Sequence, residues 1–169
     1  MGLIFDLDQT LIDSSLAEKF RSTRNWSSVY ATIPQFSQYN GLINSLHTLK
    51  KEGLKICIVT SSPSAYCNRV LTHWNIPFDY NVCYHDTTNK KPHPEPILKA
   101  LKLLNLPANK ALSFGDRDVD IIASNQAGVA SVACTWGSAD ITSLIKANPT
   151  YTANNISEML ILIKNFKFI

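Results

Sequence analysis

Near the start of the chain the apolar run Gly2-Leu3-Ile4-Phe5 ends on Asp6-Leu7-Asp8, so a stretch of strand length delivers two carboxylates spaced two apart. An apolar run without polar alternation suits a strand covered on both faces, as a parallel sheet provides. In open α/β sheets ligands bind at the carboxyl edge of the strands, and Asp6 and Asp8 would project from that edge. Such a strand needs neighbours on both sides and helices on both faces.

The rest of the sequence supplies them. After a polar segment at 13–40 with Trp26, Tyr30, Phe36 and Tyr39, the residues Leu42, Ile43, Leu46 and Leu49 recur at helical spacing and Gly53 follows as a terminator. Strands are predicted at 55–60, 78–84, 111–114 and 129–135. Ser62-Pro63 reads as an N-cap with proline at the first helical position, ahead of an inward face of Tyr66, Val70 and Trp74. The proline-rich stretch 85–96 reads as a loop, after which Ile97, Leu98, Leu101 and Leu104 restart a helix. Val119, Ile122 and Ala123 mark a short helix, and a last one is predicted at 157–165. Alternating strands and helices predict an α/β, Rossmann-like three-layer sandwich around a parallel five-stranded sheet with right-handed crossovers. With strand order 3-2-1-4-5, the crevice opens between the first and fourth strands, where Asp6 and Asp8 would meet Asp116 and Asp120.

At 169 residues the expectation is a single domain over 1–169 with a small insertion at 13–40. A net charge of +3, with no basic run longer than Lys50-Lys51 or Lys90-Lys91, gives no sign of a nucleic-acid-binding surface. Cys57, Cys67, Cys83 and Cys134 form no C-x-x-C pair and read as buried free thiols. The first apolar run has no basic residues before it and is cut short by Asp6, which argues against a signal peptide. No stretch is long and apolar enough for a membrane span. A cytoplasmic location and no membrane partner are therefore expected.

Three or four carboxylates in one crevice repel, a pair at about 4 Å by roughly 4 kcal/mol at an effective dielectric near 20. A cation is required, and Mg²⁺ suits an all-oxygen donor set with a substrate phosphate. Asp6 and Asp116 would ligate it through side chains and Asp8 through its backbone carbonyl, with Asp120 in support. Thr60, through its hydroxyl, and Ser61, through its backbone N–H, can donate to phosphate oxygens at the end of the second strand. Lys91 adds a fixed positive charge. The reaction that fits is attack of Asp6 on phosphorus, giving an aspartyl phosphate that water cleaves. Asp8 would serve as general acid for the leaving oxygen and then as base for the water.

These residues resemble the phosphatase branch of the haloacid dehalogenase superfamily. Its first motif, D-x-D-x-[TV], matches Asp6-Leu7-Asp8-Gln9-Thr10. Its threonine matches Thr60, its lysine before proline matches Lys91-Pro92, and its G-D-x-x-x-D matches Gly115-Asp116 through Asp120. The similarity runs over 41–137, through Trp136-Gly137, and resembles phosphoglycolate-phosphatase-like members. The resemblance implies an aspartyl-phosphate mechanism, Mg²⁺ dependence and a small phosphorylated metabolite as substrate. Two departures stand out: Gln9 replaces the commonest residue, glycine, and the 13–40 insertion is far shorter than the usual helical cap. A short cap leaves room for a macromolecular phosphate ester.

Other readings are weaker. Dehalogenation and phosphonate cleavage need no acid at Asp8, a phosphotransferase or phosphomutase needs a lid against water, and a non-catalytic phosphometabolite-binding module would not need every catalytic position. Arg117 and Asp118 are expected to face solvent, and His93 to pack in its loop. His47, His73 and His85 have no ligand spacing, and Lys90 is not the residue before Pro92. Lys19, Arg21 and Arg24 could meet an anionic substrate from the small cap but read better as a solvated helix face, and Trp26 and Tyr30 read as packing for the insertion.

Overall fold

The computed structural model describes residues 1–166. In chain order its elements are β1 (Gly2–Phe5), α1 (Glu18–Ser22), α2 (Trp26–Thr32), α3 (Leu42–Lys51), β2 (Lys55–Val59), α4 (Ser64–His73) and β3 (Tyr80–Val82). There follow α5 (Glu95–Leu104), β4 (Ala111–Gly115), α6 (Asp118–Gln126), β5 (Ala130–Cys134), α7 (Ile141–Lys146), β6 (Tyr151–Ala153) and α8 (Ile156–Phe166). The sheet is parallel with order β3-β2-β1-β4-β5-β6.

The expected three-layer arrangement and the reversal between β1 and β4 are present, but the sheet has six strands rather than five. The sixth, β6, is three residues on the far edge, between Pro149 and Asn154, too short for an apolar pattern to mark it. Thr150 and Ser131 bond across its entrance at 3.1 Å. Helix α7 likewise escapes a periodicity reading at six residues, and its start is fixed by Asp140 accepting from the Ser143 N–H at 3.0 Å. The third strand shrinks from 78–84 to Tyr80–Val82, as an edge strand with one paired side can. Pro63, not Ser62, is the residue at the cap of α4. Helix α5 starts at Glu95, because the first helical turn tolerates Pro96, and the Glu95 carboxylate draws in the N–H groups of Thr88 and Asn89 at 2.8 Å each.

Side chains alternate across the strands. Leu3, Phe5, Ile56, Ile58, Leu112 and Phe114 face one buried cluster with α3, α4 and α8, while Ile4, Cys57 and Val59 face the other with α5 and α6. Phe5 and Phe114 stack with centroids 4.5 Å apart, locking the two central strands side by side just below the site. All four cysteines are buried and free. The 13–40 segment packs on the first cluster through Val29, Ile33 and Phe36, with Trp26 and Tyr30 against it as expected. No helix among the described residues is long and apolar enough to cross a membrane.

Candidate active site

Asp6 immediately follows β1, and its N–H continues the ladder to the Phe114 carbonyl at 2.9 Å. Its Oδ1 accepts from Lys91 Nζ at 2.6 Å. The same ammonium reaches Asp120 Oδ1 at 2.5 Å and the Val59 carbonyl at 3.0 Å, so three segments converge on one lysine that is only 4% exposed. Asp116, the residue after β4, accepts from the Thr10 hydroxyl at 2.7 Å. Asp120 sits in the first turn of α6, where its Oδ2 accepts the Arg117 N–H at 3.1 Å and closes the helix start. One carboxylate oxygen from each of Asp6, Asp116 and Asp120 lies within 4.8 Å of the others. The junction depends on Gly115: a Cβ there would stand 2.3 Å from the Asp120 Cβ, so only glycine lets the end of β4 pass this close to α6.

The electrostatics follow from burial. Desolvation, and behind it the repulsion of Asp120, pushes Asp116 up to about 7. Burial raises Asp6 well above the usual carboxylate range, although Lys91 opposes the rise. Burial works against the charge on Lys91 too, but Asp120 and Asp6 outweigh it and hold the ammonium above its ordinary value.

Asp8 has a different neighbourhood. Its Oδ1 accepts from Ser14 Oγ at 2.6 Å and Tyr66 OH at 2.5 Å, and its Oδ2 from Ser62 Oγ at 3.0 Å. Arg21 completes the set with an ion pair to Oδ1. Arg21 therefore departs from the solvated face expected of it: the side chain is 18% exposed and lines the cavity, whereas Lys19 and Arg24 are exposed as expected. Burial disfavours its charge, yet the Asp8 carboxylate raises Arg21 above its usual value. Nothing in the sequence marks Ser14, Ser62 or Tyr66 for this network, and Arg21 is not separable there from Lys19 and Arg24, for which a solvated face outweighs contact with an anionic substrate. Helix α1 is too short to show a buried face, and Tyr66 follows Arg21 by 45 positions, so only the folded chain joins them.

Thr60 is buried after β2, its Oγ1 accepting the Ser62 N–H at 3.0 Å, which leaves the hydroxyl proton for another acceptor. Ser61 is exposed beside it, and both line the same cavity of about 740 Å³ as Asp6, Asp8, Lys91 and Asp116. Lys90 turns away to the Thr87 carbonyl and the Tyr84 ring. Arg117 is exposed and Asp118 partly so, both on the cavity's wall, and His93 Nδ1 accepts the Glu95 N–H at 3.1 Å.

The loop between Asp8 and Thr10 is held from outside. Gln9 has the left-handed backbone conformation, φ 64°, that glycine would adopt freely. Tyr39 donates to the Gln9 carbonyl at 2.9 Å, and the Trp136 indole donates to the Thr10 carbonyl at 3.2 Å. Gly137 presses on the same turn, since a Cβ at that position would fall 1.7 Å from the Gln9 carbonyl oxygen.

Comparison with known proteins gives a family model described as haloacid dehalogenase-like hydrolase, which matches residues 16–134. A pyrophosphatase PpaX from Bacillus cereus is 31% identical over 130 residues, 76% of this chain and 60% of its own length. A phosphoglycolate phosphatase from Colwellia psychrerythraea is 30% identical over 161 residues, 94% of this chain and 69% of its own. The chain spans about 55% to 60% of the length of the pyrophosphatase relatives it matches. Among solved structures, a hydrolase from Pseudomonas syringae superposes with a TM-score of 0.83 at 22% identity, covering 97% of this chain and 98% of that one. A subfamily IA hydrolase of the same superfamily from Geobacter sulfurreducens does so with a TM-score of 0.75 at 20% identity, covering 95% and 98%.

Proposed function

As this chain belongs to the haloacid dehalogenase-like hydrolase family, we propose that it is a Mg²⁺-dependent phosphatase that hydrolyses a small phosphate monoester through an aspartyl phosphate. The observation that carries this reading is the division of labour between the two leading aspartates. Asp6 shares one ammonium and one acidic cluster with Asp116 and Asp120, while Asp8 is bonded into a separate polar network two residues on. The relatives' names, a pyrophosphatase and a phosphoglycolate phosphatase, support phosphoryl chemistry on small substrates.

Lys91 holds Oδ1 of Asp6 and leaves the second oxygen to attack phosphorus. The Thr60 hydroxyl, the Ser61 backbone N–H and the Lys91 ammonium are donors for the phosphoryl oxygens, whose charge spreads as the bond to the leaving oxygen lengthens. For this half Asp8 enters protonated on Oδ2, the oxygen that Arg21 does not hold, and gives that proton to the leaving oxygen, so the leaving group departs protonated as the bond to phosphorus breaks. In the second half Asp8 takes a proton from water as the water oxygen bonds to phosphorus and the Asp6–phosphorus bond breaks, which returns the Asp6 carboxylate and releases orthophosphate.

The donor set fits Mg²⁺: three convergent carboxylates, two of them raised by burial and mutual repulsion, form a hard oxygen site with more negative charge than Lys91 neutralises. Asp6, Asp116 and the Asp8 carbonyl would hold the ion, with Asp120 behind, and the bound ion would neutralise phosphoryl charge.

The test is phosphate release from a panel of phosphorylated sugars, nucleotides, glycolate and phosphopeptides with and without Mg²⁺, with the Asp6→Asn protein as blank. We expect turnover that needs Mg²⁺ and falls to background in Asp6→Asn. Binding of these esters by the unmutated protein without release of phosphate would sink the reading in favour of a binding module.

A further inference from the structure

We propose that Arg21 is a specificity-determining residue that reads an anionic group on the leaving group, so that the preferred substrates carry a second phosphate or carboxylate next to the scissile phosphate. The inference rests on the phosphatase reading and extends it to the class of substrate.

Asp8, as the acid for the leaving oxygen, marks the side of the cavity on which the leaving group lies. Arg21 is ion-paired to that same carboxylate, so whatever is bonded to the leaving oxygen comes within reach of a guanidinium. Among the described residues, Arg21's side-chain hydrogen bonds all run through Nη1, to Asp8 Oδ1, to Ser14 Oγ at 2.9 Å and to Tyr66 OH at 3.0 Å. Among the described residues no acceptor engages Nε or Nη2, and a fork with two nitrogens to spare is suited to an oxyanion. The seat is built for the arginine: Ser14 and Tyr66, wholly buried, present their hydroxyl oxygens to it, and the guanidinium lies 5.8 Å from the Tyr66 ring centroid.

Charge balance points the same way. Besides Asp6 and Asp8 the cavity is lined by Glu18, Asp116, Asp118, Asp120 and Asp140, a wall that repels a second anion. Its cationic side chains among the described residues are Lys91, Arg21 and Arg117. Lys91 is committed to Asp6 and Asp120, and Arg117 is exposed on the cavity's wall. Arg21 is the cation on the Asp8 side. A leaving group with no charge of its own gains nothing from it.

The experiment compares kcat/KM for pyrophosphate and phosphoglycolate with that for phenyl phosphate and glycerol phosphate, whose leaving groups are uncharged. It uses the unmutated protein, Arg21→Gln, Arg21→Lys and Arg117→Gln, each checked for a native melting transition. Any general effect of freeing Asp8 cancels in the ratio of the two substrate classes. We expect a preference for the doubly anionic pair that falls about ten- to a hundredfold in Arg21→Gln, the range for a lost charged hydrogen bond, is partly kept in Arg21→Lys and survives in Arg117→Gln. Calorimetry in the Asp6→Asn background, where turnover is blocked, should show pyrophosphate binding more tightly than orthophosphate only while Arg21 is present. Pyrophosphate losing the preference and phosphoglycolate keeping it would assign the seat to phosphate, and the converse to carboxylate; either supports Arg21 as the reader. Equal loss on every substrate, or loss of the preference in Arg117→Gln instead, overturns the assignment while leaving the phosphatase reading intact. Absence of turnover for all four esters in the unmutated protein overturns both.

Discussion

At the scale of single residues the most exposed dependence is that of the loop between Asp8 and Thr10 on Gly137. The glycine is remote in sequence from Gln9, yet an added methyl would overlap the Gln9 carbonyl and crowd the Tyr39 hydroxyl at 2.9 Å. Since Gln9 lies between the proposed acid and the threonine that steadies Asp116, the loop could make room only by moving Asp8 or Thr10. Displacement of a catalytic group by about 1 Å costs on the order of a hundredfold. Gly137→Ala should therefore lower kcat by about that factor while the melting temperature changes little, which steady-state kinetics beside a thermal melt would check; an unchanged kcat would show that the loop yields without cost. The roles proposed for Asp6, Lys91 and Asp116 could be read from their spacing, because each stands at a strand end or in an adjoining loop within a motif of fixed length. Arg21 could not. Nothing in its neighbours distinguishes it from Lys19 or Arg24, and its place is fixed by hydroxyls contributed by Ser14 and Tyr66.

Elements were legible in proportion to their length and burial. The four interior strands and α3, α5 and α8 leave apolar patterns because sheet and helices bury them, whereas α7 and β6, at the far edge, are too short to repeat any pattern. Helix α8 allows the argument to be tested within one element. Ile163 is fully buried against the first cluster, while Ile161, two positions earlier, is 57% exposed. Ile163→Ala should cost about 2–5 kcal/mol of unfolding free energy, and Ile161→Ala less than about 0.5 kcal/mol, as measured by urea denaturation. Similar losses at both positions would mean that the outer face of α8 is also covered.

For the molecule as a whole, the acidic crevice should tie stability to pH and, on the proposed function, to Mg²⁺. Asp116 lies near 7 against an ordinary value of 3.8, so the folded protein holds that proton more tightly than the unfolded chain does. The sign follows: the stabilisation is complete below the ordinary value and is lost as pH rises to about 7. Without metal, the protein should melt lower at pH 8 than at pH 5. Each kcal/mol lost lowers the melting temperature by about 2–4 °C in a chain of this size. Mg²⁺ at pH 8 should raise the melting temperature, and by more than it does at pH 5, because it binds the ionised cluster and adds its binding energy to the folded state. Calorimetric melts at the two pH values with EDTA or Mg²⁺ would check both statements, and a metal-free protein that is more stable at pH 8 would contradict them.

The hydrogen-bond chain from the Trp136 indole through Thr10 to Asp116 has a practical corollary. Thr10 offers its carbonyl to the indole and its hydroxyl to the carboxylate, so a change at Asp116 reaches a fluorophore through one intervening residue. With Trp26 and Trp74 replaced by phenylalanine, the emission of Trp136 would become an optical gauge of the acidic crevice, intrinsic to the chain and independent of any assay for turnover.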